Sequence, residues 1–284
     1  MASKFEYYKF QNSCNPFGIL FHPIAIENSI SRAINLELFQ EKELFFNNER
    51  WHNFDLHSDL SNPDKADLLN EINHLLVTTN KKIKEASHVI ITYGTSWVYR
   101  NKETNKFVSN CHKVPQTNFE KELLTVSDIV IAIKNTIDLI EKVNPNCNLI
   151  FTISPVRHLK DGFQENQRSK ANLIAALHST LDIRHSTKRY FPSYEIMMDE
   201  LRDYRFYGED LLHPNQVAIE YIWERFVESS VSDAAIDTMN EVEAIQRDLS
   251  HRSFNPSSES FKKFQMQLDT KINKIKSKFP YMNF

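Results

Sequence analysis

Glycine is scarce in this chain. There are four among 284 residues, at positions 18, 94, 162 and 208, where average usage of roughly 7% would supply about twenty. Such economy reserves glycine for places where the backbone needs a positive φ or a close approach. Cysteine is fewer still, at three. Cys14, Cys111 and Cys147 are scattered and odd in number, with no C-x-x-C, which argues against a disulfide framework or a structural zinc and for a reducing compartment. Net charge is close to balance, at −3 with a pI near 6.4, so there is no electrostatic case for nucleic acid or an anionic membrane. No apolar run is long enough to span a bilayer, and the first residues carry no apolar signal segment. These absences lead to the expectation of a cytoplasmic protein with no nucleic-acid or membrane partner. Nothing in them sets an oligomeric state.

What the chain does contain is an alternation of strand and helix patterns. Residues 8–14 are expected as a strand closed by Asn15-Pro-Phe-Gly18, and Pro23–Asn35 as a helix. Residues 36–61 are aromatic-rich and expected to be irregular. Asn62-Pro-Asp-Lys65 opens a helix with Leu68, Leu69, Ile72, Leu75, Leu76 and Ile83 on one face. Residues 87–94 and 147–154 are continuous apolar runs, the pattern of strands buried on both faces. Between them, 97–113 is expected as a polar hairpin or long loop. Val126, Ile129, Val130, Ile133, Ile137 and Ile140 then define a helix that stops at Asn144-Pro-Asn. A helix over 165–185, a short stretch at 189–192 and a brief helical piece complete this part. The alternation predicts an α/β fold with a parallel sheet and right-handed crossovers, its chemistry gathered at the carboxyl ends of the strands. Two polar helices, 233–249 and 257–278, follow as an appendage. The expected division is 1–228 and 229–284.

The most informative stretch for function is Asp210-Leu-Leu-His213-Pro214, followed by a helix in which Val217, Ala218, Tyr221, Ile222 and Phe226 are expected to face inward. Pro214 suits a first helical turn. Asp210 is close enough in sequence to orient one imidazole nitrogen of His213, and a base held by a carboxylate is two of the three members of a catalytic triad. The plainer reading is a helix cap with a histidine beside it. A zinc site fits less well, because no second His or Cys stands at ligand spacing. Gly94-Thr-Ser-Trp97 follows a strand directly, so its backbone N–H groups either face an oxyanion or form a tight turn. Gly18 offers the same pair of readings. Asn110, in Asn110-Cys-His-Lys113, is either a side-chain donor or a solvated loop residue. Arg157 and His158 follow the second apolar strand and are expected over its rim, whereas Trp51, His52 and His57 read as packing. No nucleophile stands out. Ser13, Ser96 and Ser154 lie at strand ends outside any glycine-flanked elbow, and Cys14 and Cys111 carry no sign of activation.

Six blocks in order (15–23, 94–99, 110–113, 154–162, 165–171 and 210–214) resemble the GSCFA family, which is similar to the SGNH/GDSL hydrolases. The resemblance covers roughly residues 1–228. It implies a flavodoxin-like three-layer α/β/α sandwich, followed here by the C-terminal helices. It also implies O-acyl ester hydrolysis through a Ser nucleophile, with Asp210 and His213 as the other triad members. Gly18 and Gly94 would then lie at the oxyanion, with Asn110 as a compensating donor and Arg157 and His158 on the substrate rim. The implied substrate is a small-molecule or carbohydrate-like acyl ester, with no cofactor and no metal. Two departures stand out. The Gly-Ser-Cys-Phe-Ala run that names the family is absent, and residues 3–10 match the helix that should follow it. The first strand and its serine are therefore expected upstream of Met1, and the chain as written is expected to be inactive. In addition, Ser96 occupies the place of the Asn in the Gly-x-Asn-Asp turn. The rival expectation is a non-catalytic binding or scaffold module on a hydrolase-like fold.

Overall fold

The computed structural model describes residues 1–181, 187–252, 254–255 and 257–284. Its elements run α1 (Ala2–Tyr7), α2 (Pro23–Asn35), β1 (Phe45–Asn47), β2 (Arg50–His52), α3 (Lys65–Glu85), β3 (His88–Tyr93), β4 (Trp97–Asn101), β5 (Phe107–Val108) and β6 (Phe119–Leu123). They continue with α4 (Val126–Val143), β7 (Asn148–Ile153), α5 (Phe163–Thr180), β8 (Lys188–Phe191), the short α6 (Ser193–Glu195), α7 (Gln216–Ser230), α8 (Asp233–Ser250) and α9 (Glu259–Lys278). The described chain forms two compact units.

The larger unit, Asn15–Ala218, is an α/β structure. Its parallel sheet has the order β3-β7-β8, with Ile91 opposite Phe151 and Phe151 opposite Tyr190. β7 is buried on both faces as expected, with Leu149, Phe151 and Ile153 almost fully covered. β3 is not: it buries only Ile91 and Tyr93 and exposes His88 and Thr92, because it stands at the edge of the described sheet. Ile129, Ile133, Ile137 and Ile140 of α4 join them in one core with Leu68, Ile72 and Leu76 of α3. Caps set the helix starts. The Thr125 hydroxyl accepts from the Asp128 amide while the Asp128 carboxylate accepts from the Thr125 amide, a reciprocal box that satisfies two end donors of α4. His22 caps α2 by accepting from the Ala25 amide, with Pro23 in the first turn.

Several expectations need correction. Residues 8–14 form no strand. The amides of Lys9 and Phe10 turn back to the carbonyls of Glu6 and Phe5, so this stretch ends α1, and no described strand runs beside it. Residues 36–61 are not wholly irregular, because β1 and β2 form a hairpin whose two loop residues, Asn48 and Glu49, take φ of 48° and 61°. The stretch 97–113 does hold the expected hairpin, β4 against β5, and β6 extends it to an antiparallel sheet of order β5-β4-β6. The stretch at 189–192 supplies most of β8. The helix expected to reach residue 185 is described to Thr180, and 182–185 lie outside the described residues. Pro214 precedes α7, and Asn215 caps the helix by accepting from the Ala218 amide. Val217 is 62% exposed, and Trp223 is buried on the inward face with Ala218, Ile222 and Phe226.

The smaller unit joins Met1–Cys14 to Ile219–Phe284, whereas the sequence placed a division after residue 228. Phe5 meets Trp223 and Phe226 edge-on, Tyr8 stacks on Trp223, and Lys4 pairs with Glu220. Val242 and Ile245 of α8 pack with Leu268 and Ile275 of α9 and with Met282. Among the described residues no helix is long and apolar enough to cross a membrane.

Candidate functional site

The carboxyl ends of β3 and β7 are tied together by one buried amine. Lys170, on α5, is 1% exposed, and its Nζ donates to the Gly94 carbonyl at 2.8 Å and to the Ser154 carbonyl at 2.7 Å. Its third side faces the Tyr194 ring. Burial pulls the ammonium down to about 7, since a desolvated charge with carbonyls but no carboxylate beside it is costly. Ser169, the preceding residue, accepts from the Ser96 amide, and the Ser96 hydroxyl donates to the Ser169 carbonyl. Asn166, one turn earlier, accepts from the His158 amide. One face of α5 thus sets the geometry of both strand ends.

His158 lies against Gly94. A β-carbon there would come within 3.3 Å of His158 Nε2 and 3.2 Å of Phe21 Cδ1, which is the close approach that glycine permits. Burial, then the charges of Lys170 and His213, push the His158 imidazole down to about 4. The bond from Arg157, just past the end of β7, to the Leu211 carbonyl makes the strand ends and the Asp210–His213 loop neighbours.

In that loop His213 Nδ1 donates to Asp210 Oδ2 at 2.5 Å, while Asp210 Oδ1 accepts from the amides of Leu212 and His213. The His213 amide, then the Leu212 amide and the imidazole, hold the Asp210 carboxyl at about 2. The His213 side chain is 64% exposed. Among the described residues no hydroxyl or thiol hydrogen-bonds its other nitrogen, Nε2. Arg157 Nη2 donates to the Leu211 carbonyl, and the guanidinium lies over the rings of Tyr207 and Tyr204.

The structure therefore brings together Gly94, Arg157, His158, Asp210 and His213. Gly18 and Asn110 are linked instead through the His57–Ser58 segment. Gly18, at φ 76°, packs against His57, and Asn110 Oδ1 accepts from the Ser58 hydroxyl and the His112 amide. Neither glycine amide is free, since Gly18 donates to the Asn15 carbonyl and Gly94 to that of Phe21. Of the serine candidates, Ser96 is fully buried, and the Ser154 oxygen accepts from the Val156 amide. Burial raises both the Cys14 and Cys111 thiols, the latter to about 11, which disfavours the reactive thiolate. Among the described residues no three His, Cys, Asp or Glu side chains gather to hold a metal ion. Lys170, Asn166, Ser169 and the two tyrosines escaped the sequence reading as site residues.

A GSCFA family model matches residues 1–226. The chain belongs to the GSCFA family. A model described as the GSCFA domain protein, C-terminal domain, matches residues 242–284, which in this family member covers the end of α8 and all of α9. No curated protein and no solved structure matches the chain. The GSCFA match spans all the groups assembled at the strand ends, Lys170 included.

Proposed function

We propose that Asp210 and His213 form the acid–base half of an ester-hydrolase site, with an O-acyl ester of a small or carbohydrate-like alcohol as substrate. The observation that carries this reading is the 2.5 Å contact from His213 Nδ1 to an ionised Asp210, with the rest of the imidazole exposed. The Nδ1–H bond selects the tautomer in which Nε2 holds the lone pair, so Nε2 is the base. It takes the proton of the attacking hydroxyl, and the carboxylate stabilises the imidazolium that results. Nε2 then returns the proton to the departing alkoxide. No hydroxyl or thiol bonds Nε2 among the described residues, so water serves as the nucleophile in this reading, and turnover is slow.

Hydrolysis of p-nitrophenyl acetate by the full chain tests the reading. A slow rate that falls at least tenfold in His213→Ala is expected, with no covalent labelling by a fluorophosphonate. A rate equal in both proteins defeats the hydrolase reading. Strong labelling lost in His213→Ala would instead reveal a serine nucleophile within the chain. One observation favours a binding module as the second reading. The amides of Gly18 and Gly94 are both committed to carbonyls, which leaves no backbone donor at either position for an oxyanion.

A further inference from the structure

The loop that carries Asp210 and His213 has an unusual apex. Leu211 holds φ at 57°, a region that apolar L-residues seldom occupy, and its side chain is 48% exposed, so no burial of that side chain compensates. Bonds within the loop account for most of its polar backbone. Gly208 donates to the His213 carbonyl at 2.8 Å, Leu211 donates to the Gly208 carbonyl at 3.0 Å, and Leu212 and His213 donate to Asp210. The Leu211 carbonyl is left at the apex, and it is bonded from outside the loop. Its donor is Arg157, 54 residues earlier and just past the end of β7. The guanidinium carbon lies 4.4 Å from the Tyr207 ring centre and 5.5 Å from that of Tyr204, and the buried Nε has no hydrogen-bond partner. A planar cation stacked on two rings holds its fork in a fixed direction, which a flexible ammonium does not reproduce.

We propose that Arg157 is a positioning residue: stacked on Tyr204 and Tyr207, it clamps the Leu211 carbonyl and thereby fixes the loop that presents Asp210 and His213. The catalytic meaning of this clamp rests on the hydrolase reading above, but the clamp itself does not. A rim residue kept for substrate would hold its donors ready in the ligand-free protein, whereas Arg157 already spends ring stacking and a hydrogen bond on the loop. The clamp also explains how a half-exposed leucine keeps a left-handed conformation between the two functional side chains.

The test uses the ligand-free full chain, so its outcome is independent of turnover. The Asp210 carboxyl is titrated by carbon-detected NMR, and exchange of the Leu212 and His213 amides is followed in the wild type, Arg157→Met, Arg157→Lys and Tyr207→Leu. In the wild type Asp210 titrates at about 2. In Arg157→Met the midpoint is expected to rise by a unit or more towards the ordinary 3.8, and exchange of the two amides to accelerate about tenfold or more. Arg157→Lys should restore part of both effects. Loss of a nearby positive charge alone would move the titration but leave amide exchange unchanged. Tyr207→Leu keeps the charge and removes a stacking ring, so it should change both readouts in the same direction, by less, and it carries the test if Arg157→Met does not fold. Unchanged exchange in a folded Arg157→Met protein, or in Tyr207→Leu where Arg157→Met does not fold, overturns the proposal. Absence of His213-dependent hydrolysis in the wild type overturns the hydrolase reading instead and leaves the clamp standing.

Discussion

The Asp210–His213 loop and the Lys170 cluster are neighbouring parts of one site, yet they hold their polar groups by opposite means. The loop is exposed and local. Its carboxylate is satisfied by amides two and three residues away, and among the described residues the long-range hydrogen bond to the loop comes from Arg157. The Lys170 cluster is buried and wholly non-local, with Lys170 reaching carbonyls 76 and 16 residues distant in sequence. An exposed charge stays cheap through solvent and adjacent amides, whereas a buried one must be matched by partners fixed elsewhere in the fold. The buried cluster should therefore dominate stability, and the loop should dominate reactivity.

The largest test of this division is acid. Burial holds His22, His112 and His158 at about 4. Each folded-state value lies below the ordinary 6.5, so the unfolded chain binds more protons between these limits. The contribution of these histidines to stability is complete above about pH 6.5 and is lost as pH falls towards 4. Full protonation costs on the order of 3 kcal/mol each for His22 and His112, and less for the partly exposed His158. His22 has a visible reason, because Nδ1 accepts from the Ala25 amide while Nε2 donates to the Val108 carbonyl. A proton on Nδ1 removes the cap of α2. Urea unfolding at pH 7, 5.5 and 4.5 should show the decline, and His22→Gln should make it shallower, leaving the part due to His112 and His158. A stability independent of pH across that window would break the buried side of the comparison.

Next in size is Lys170→Met. Lys170 is held at about 7 against an ordinary 10.5, so the folded state releases its proton first and stability rises as pH climbs between these values. The gain from pH 7 to pH 9 is about 2 kcal/mol. Methionine removes the titration while keeping much of the volume, but leaves the Gly94 and Ser154 carbonyls without their donor, at roughly 1–3 kcal/mol each. Alkaline stabilisation in the wild type and none in Lys170→Met is expected from paired urea curves. Identical pH dependence in the two proteins would remove Lys170 from the account.

Lys170 was within reach of the sequence. It shares the helical phase of Asn166, Ser169, Leu173, Ala176 and Leu177, all buried, so a lysine on the inward face of α5 was a readable anomaly. The strands β3 and β7 and the helix α4 were legible for the same reason, since continuous or periodic burial writes itself into composition. The strand β6 was not, because Phe119-Glu-Lys-Glu-Leu123 is largely charged and draws its pairing from β4 rather than from a buried face. The strand expected at 8–14 fails for the converse reason, as β-forming residues make no strand without a ladder partner. Asp210 and His213 were readable as a pair from spacing alone. The clamp from Arg157 was not, because it depends on a left-handed leucine and on two tyrosines about fifty residues further along the chain.

The smallest effect on stability, and the sharpest on chemistry, is expected from Asp210→Asn. Asparagine keeps an oxygen for the amides of Leu212 and His213, so the turn survives and the unfolding curve at pH 7 should not move measurably. The group facing His213 Nδ1 becomes an amide NH2, which cannot accept the imidazole proton. The ring then loses both its orientation and its tautomer, and the charge that steadies the imidazolium is gone. His213-dependent ester hydrolysis should fall by on the order of tenfold or more at unchanged stability. Because the wild-type Asp210 titrates at about 2, the contribution of its charge is present above about pH 3.8 and fades as pH falls towards 2, so a difference between the two proteins should persist at pH 5. If Asp210→Asn instead unfolds the chain, the loop is a stability element and the contrast with the Lys170 cluster collapses. If it changes neither stability nor hydrolysis, His213 acts without its carboxylate, and the pair is a turn motif rather than half of a triad.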